Sequence, residues 1–220
     1  MFGTAQLPEN PEELMRERLV TIRPEVLNDA EHALGNLFQR IYHATRLSRE
    51  ALGPQAERLT AALGDLERLL ELVFDYVSPV EVRMRPTPAA RVAESLAAQI
   101  RAHTEGEVAV GSCPPVAVSA DARLLRRSFE LLSRAWSCHW EAASRIALDV
   151  LHDEAFERAE FVVRAPIRHG AGAPVDGKLA LAVAARLVEL HGGELRHGAS
   201  DALVTCSVML PTAKASHVAV

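Results

Sequence analysis

The 220-residue sequence lacks the features that mark several large classes of protein. It has only three cysteines, Cys113, Cys138 and Cys206, far apart, odd in number and without the spacing of a metal site. That fits reduced thiols of a cytosolic protein, serving as core or surface residues. It has no excess of positive charge either. Lys and Arg number 24 against 29 Asp and Glu, a net charge of −5, which excludes nucleic acid as the main partner because phosphate binding needs a basic face. Arg123, Arg126 and Arg127 sit among acids and read as a solvated helix face. The first residues show no basic stretch leading into an apolar one, so no signal peptide is expected. No apolar run approaches the roughly 20 residues needed to span a bilayer, so a soluble, cytoplasmic chain with no membrane partner is expected. There are no internal repeats.

What the sequence does have is apolar content, 49% of all residues, enough for one generous domain or a small one beside a medium one. After a loose start, Asn10-Pro11-Glu12-Glu13 reads as the cap and first turn of a short helix. Pro24 opens a second helix that runs to about Leu52 and stops at the breaker pair Gly53-Pro54. A third runs from about Gln55 to Val77 and stops at Ser78-Pro79.

Both long helices carry heptad seams. Leu27, Ala30, Leu34, Leu37, Ile41, Ala44 and Ser48 recur at alternating spacings of three and four, as do Leu59, Leu63, Leu66, Leu70, Val73 and Val77. The short connection makes the helices antiparallel neighbours. Two helices cannot enclose a bundle core, so the pattern points to a homodimer whose two hairpins form a four-helix bundle. Beside the seam Asp29, His32, Asn36, Gln39 and His43 form a polar stripe. An exposed neutral imidazole on such a rigid frame can accept a phosphoryl group. His32 and His43 both qualify, and spacing does not choose between them.

After Pro79 the pattern becomes mixed. A linker ends at Pro86-Thr87-Pro88, a helix covers Ala89 to Ala102, and short strands flank Cys113-Pro114-Pro115. Ser119 is placed to cap a helix reaching Trp136, with Trp136 and Trp140 one turn apart. Strands follow at Ser144–Leu151 and Glu160–Arg164, then a loop from Gly170 to Gly177 and a helix from Leu179 to His191 stopped by Gly192-Gly193. Strands at Glu194–Arg196 and Leu203–Leu210 finish the pattern. The fold class is α+β, one layer of helices on one of strands. His191 sits where an imidazole meets a helix C-terminal dipole, a structural place. His139, between Cys138 and Trp140, matches no ligand set.

Several segments together resemble bacterial sensor histidine kinases. Leu179-Ala-Leu-Ala-Val-Ala-Ala-Arg-Leu-Val-Glu-Leu-His-Gly-Gly193 is similar to the segment after their second glycine-rich box, and Met209-Leu210-Pro211 to the end of their ATPase domain. Asp121 through Ala135, with Glu130-Leu-Leu-Ser-Arg-Ala135, resembles the helix of their asparagine box. His32-Ala-Leu-Gly-Asn36-Leu-Phe-Gln-Arg-Ile41 resembles their phosphoacceptor box, and Phe74-Asp-Tyr-Val-Ser-Pro79 their usual exit from the dimerisation hairpin. The likeness covers about residues 25–211. It implies a short N-terminal extension (1–22), a dimerisation and phosphotransfer hairpin (23–83), an ATPase-like α/β sandwich (84–211) and a tail (212–220).

The departures fall on the residues that would touch ATP. Glu130 and Arg134 stand at the two amide positions that help hold Mg²⁺, and Arg134 puts a fixed cation where the metal belongs. Val163 to Gly170 lacks the Asp-x-Gly-x-Gly of the first glycine box. Asp176, Lys178 and Ala180 align with the glycines of the second, where phosphates need backbone without Cβ. Ala33 follows His32, where kinases place the acid that acts as general base. Asp29 and Glu31 are close enough in sequence to orient the ring.

No cofactor is therefore expected. The resemblance then implies a histidine phosphotransfer protein, with His32 as phosphoacceptor and Asn36 as its polar neighbour. It would exchange phosphoryl groups with a response-regulator receiver domain that brings its own Mg²⁺. Asp29, Phe38, Gln39 and His43 would help to dock the partner, with Leu34 beside them as core. Trp136 and Trp140 would cover the relict pocket. The other reading is a scaffold without chemistry, a pseudokinase that binds a receiver or a histidine kinase.

Overall fold

A computed structural model describes residues 24–47, 53–141, 143–168, 176–200 and 202–213, with side chains of the first helix described from His32 onward. The expected short helix after Asn10, the end of the next helix at residues 48–52, most of the Gly170 loop and most of the tail lie outside the described residues.

Two 24-residue helices come first, α1 (Pro24–Leu47) and α2 (Pro54–Val77). Each begins on proline, whose fixed φ and missing N–H suit a first helical turn. Gly53, just before α2, takes φ +53°, a left-handed value that glycine reaches without a Cβ clash.

The chain forms two compact units. One holds the described residues up to Thr60 together with Val77–Pro79; the other holds Ala61–Tyr76 and the residues from Val80 on. The second half of α2 is thus part of the α/β unit. The reason is visible at Leu72, which is 1% exposed and belongs to the α/β core.

That unit continues with β1 (Arg85–Pro88), α3 (Ala89–Ala102), β2 (Val108–Val110), β3 (Ala117–Ala120), α4 (Ala122–Ser137), β4 (Ile146–Asp153), β5 (Arg158–Pro166), α5 (Gly177–Glu189), β6 (Glu194–Ala199) and β7 (Leu203–Pro211). Five strands form a mixed sheet in the order β2-β4-β5-β7-β6, with β2 parallel to β4 and the other neighbours antiparallel. Alternate residues of the central strands turn to one face. Ile146, Leu148 and Val150, then Phe161 and Val163, then Cys206, Val208 and Leu210 share one core with Val92 and Leu96 of α3, Phe129 and Leu132 of α4, and Val183 and Leu187 of α5. The class is α+β, as the sequence pattern implied.

Three local readings are corrected. Pro86-Thr87-Pro88, expected as linker, lies in β1, which pairs antiparallel with β3. Its prolines are two residues apart, so both missing N–H groups fall on the same edge of the strand, where a ladder tolerates them. Ser119 lies in β3, and the cap of α4 is Asp121, whose carboxylate accepts the N–H groups of Arg123 (3.0 Å) and Leu124 (3.3 Å). It also takes the N–H of Arg83 at 3.0 Å, fastening the segment after α2 to the start of α4. Burial raises the pKa of this carboxyl, but the three N–H groups and the Arg123 charge outweigh it and hold Asp121 below the usual carboxylate range. Trp136 and Trp140, expected over a pocket, are buried in the core. Trp136 falls on the same α4 face as Leu125, Phe129 and Leu132, all in that core, and its ring meets His197 of β6 edge-on at 5.6 Å.

The end of α5 follows the sequence closely. Gly192 adopts φ +70°, its N–H donates to Glu189 O (2.8 Å), and the N–H of Gly193 reaches back to Val188 O (3.1 Å). This left-handed glycine cap satisfies carbonyls that would otherwise be orphaned. A Cβ on Gly193 would overlap the Met209 carbonyl oxygen, so the second glycine is required for close approach to β7. His191, just before them, is buried between the carbonyls of Leu187 (Nδ1, 2.6 Å) and Asp121 (Nε2, 3.3 Å), a structural tie between the end of α5 and the cap of α4.

Candidate functional site

The polar stripe of α1 is solvent-facing. His32, Asn36, Gln39 and His43 are all exposed, as is Ala33. The spacing of four, three and four keeps them on one side of the helix. Leu34, which the sequence reading placed in the core, is half-buried, whereas Phe38, expected to help dock a partner, is 6% exposed and has little side chain to offer one. The Asp29 side chain lies outside the described ones. His32 therefore has the access that an acceptor imidazole needs, and no acid follows it directly in the chain.

The second cluster lies between α4 and α5, at the positions expected to carry degenerate nucleotide boxes. Arg134 and Asp176, 42 positions apart in sequence, form an ion pair at 3.1 Å, with side chains 30% and 19% exposed. Asp176 immediately precedes α5, yet its carboxylate makes no capping hydrogen bond and turns to the guanidinium instead. Ala180 is fully buried in the core, so the turn of α5 that would need a bare backbone is filled by packing. Lys178 points to solvent.

One helical turn before Arg134, Glu130 is also engaged. It accepts from Arg127 at 3.1 Å, and the same guanidinium holds Asp75 of α2 through Nη2 at 2.8 Å and Nε at 3.2 Å. Positions aligned one at a time do not reveal these pairs. The available signal was opposite charge at two of them, a cation at Arg134 and an anion at Asp176.

A divalent cation needs oxygen ligands; at the aligned positions Arg134 presents a guanidinium, paired with Asp176, and Glu130 accepts from Arg127. Among the described residues no group of three His, Cys, Asp or Glu side chains is placed to hold a metal ion. Burial raises the pKa of all three cysteine thiols, so they stay protonated near neutral pH.

Neither family models nor curated proteins match the sequence. Solved structures do match the fold. Full-length ShkA, crystallised in complex with AMPPNP, aligns with a TM-score of 0.61 at 21% identity, over 87% of this chain and 46% of ShkA. The histidine kinase AdeS of Acinetobacter baumannii aligns with a TM-score of 0.53 at 12% identity, over 82% of this chain and 97% of that one. The fold is histidine-kinase-like. At these identities the fold is what is shared, and the chain spans less than half the length of ShkA. Within that histidine-kinase-like frame the α4–α5 corner carries an internal ion pair, and α5 ends at Gly192-Gly193. Among the described residues no helix is long and apolar enough to cross a membrane.

Proposed function

We propose that this chain is a histidine phosphotransfer protein of a bacterial two-component phosphorelay, working as a homodimer and without ATP. The observation that carries the proposal is the Arg134–Asp176 pair, which puts the chain's own charges at positions where a histidine kinase of this fold is expected to hold nucleotide and metal. An acceptor imidazole remains accessible at His32, with Asn36 one turn beyond. The reaction then needs only a phosphorylated receiver domain. The P–O bond to the receiver aspartate breaks as a P–N bond to the imidazole forms, and the carboxylate is released. The receiver supplies the metal, and this chain supplies the nucleophile and a docking face around Gln39 and His43.

Dimerisation through the helices is supported by residues left uncovered in the single chain. Leu37 of α1 and Leu59, Leu66, Val73 and Val77 of α2, all seam positions, are exposed. Such a stripe on a helix is a cost in water that a second copy removes.

Ala33 favours a second reading. With no acid after His32, the same fold serves a scaffold that binds a receiver or a kinase without chemistry. The two readings separate in one experiment. Phosphorylated receivers of the host should lose phosphate faster when this protein is added, and His32→Ala, but not His43→Ala, should abolish the acceleration. Binding of a receiver without any acceleration leaves the scaffold.

A further inference from the structure

α2 ends with a problem that its own sequence does not solve. The last turn of a helix leaves carbonyls unpaired and carries partial negative charge, which basic side chains normally offset. The last turn of α2 has no basic residue and instead contains Asp75. Two arginines from elsewhere in the α/β unit supply what is missing. Arg127 of α4 grips the Asp75 carboxylate through two nitrogens at 2.8 and 3.2 Å. Arg186 of α5 donates through Nη1 to the Asp75 carbonyl oxygen at 2.8 Å, and its guanidinium lies 5.7 Å from the centre of the Tyr76 ring, a cation–π distance. One turn earlier Leu72 is buried in the core, so polar and apolar contacts fix the same stretch of helix. Glu130 steadies Arg127 from the other side at 3.1 Å.

We propose that Arg127 and Arg186 are positioning residues that cap α2 from outside the helix and keep its last turns fixed to the α/β unit, with or without nucleotide. Glu130, at a position aligned with a nucleotide-box amide, has become part of that clamp. The proposal stands apart from phosphorylation of His32, and its test does not use phosphotransfer.

The test is hydrogen exchange on the full-length chain, read by mass spectrometry over peptides spanning residues 61–77, α4 and the β4–β5 pair. In the wild type the amides of 72–77 should be protected like those of α4, with no change on adding Mg-ATP. Arg127→Gln with Arg186→Gln should speed exchange at 72–77 at least ten-fold while leaving β4–β5 unchanged. Asp75→Asn, a milder change that keeps size, should give a smaller local increase. Arg127→Lys should fall between wild type and Arg127→Gln, since an ammonium keeps the charge and loses the two-nitrogen grip. Unchanged exchange in both the double variant and Asp75→Asn would overturn the clamp. So would an increase spread evenly over the unit, or wild-type exchange at 72–77 that slows with Mg-ATP.

Discussion

Replacing Asp176 by Asn should cost more stability than replacing Arg134 by Gln, although both break the same bond. The pair is 3.1 Å apart and about a quarter exposed, between the regimes of surface and buried ion pairs. Fully exposed pairs contribute about 0.2–1 kcal/mol, and breaking a fully buried one costs about 3–5 kcal/mol. At this exposure, after solvent screening, about 1–2 kcal/mol is the appropriate scale. The asymmetry comes from the partner left behind. Without Arg134, Asp176 remains just before α5, where the positive end of the helix dipole favours a carboxylate. Without Asp176, Arg134 faces that same positive end with no counter-charge. Thermal unfolding of wild type, both single variants and the double variant measures the effect. For a chain of this size 1 kcal/mol corresponds to a midpoint shift of about 2–4 °C. The cycle should return a coupling of about 1 kcal/mol, smaller at high salt. A coupling within about 0.3 kcal/mol of zero, or a greater loss from Arg134→Gln than from Asp176→Asn, would refute the assignment of these two side chains as a stabilising pair.

Three other outcomes are expected. Gly193→Ala should destabilise by about 2–4 kcal/mol, because the new Cβ meets rigid β7 backbone, and should exceed Gly192→Ala, where only the left-handed φ is strained at about 1–2 kcal/mol; chemical denaturation midpoints compare the two. Asp121→Ala should cost about 1–2 kcal/mol at neutral pH by loss of the cap. Since the folded Asp121 carboxyl titrates below its unfolded value of about 3.9, its contribution is complete above that value and lost as pH falls through the folded one. The gap between wild type and variant should therefore be constant from neutral pH down to about 5 and close below about 4; a gap that widens in acid contradicts the sign. Mg-ATP should leave the melting temperature unchanged, whereas a working site at 100 times its Kd would add about 2.7 kcal/mol.

The parts of the fold legible in the sequence are those encoded locally. Pro24 and Pro54 mark helix starts and Gly192-Gly193 a helix stop because φ restrictions act on the residue itself. The stripe His32, Asn36, Gln39, His43 was legible for a similar reason, since helical periodicity alone puts it on one side. What was missed depends on partners distant in sequence. β1 exists only because β3 pairs with it, and two prolines argued locally for linker. Asp121 displaced Ser119 as cap because β3 claimed the serine and Arg83 supplied a third N–H. The inclusion of α2's second half in the α/β unit rests on Leu72 and on Asp75, whose guanidinium partner lies 52 positions away. Charge at Glu130, Arg134 and Asp176 is plain in the sequence. That those charges are satisfied by one another or by Arg127 required the tertiary structure.

The most direct test of the central claim is to locate the phosphoryl group after two parallel incubations of the purified chain, one with Mg-ATP and one with a phosphorylated receiver domain. Labelled phosphate and peptide mapping under alkaline conditions, where phosphohistidine survives, should place acid-labile label on His32 in the receiver incubation and none in the ATP incubation. The label should persist in His43→Ala and vanish in His32→Ala. Label from ATP, or label from the receiver that survives His32→Ala, would contradict the account.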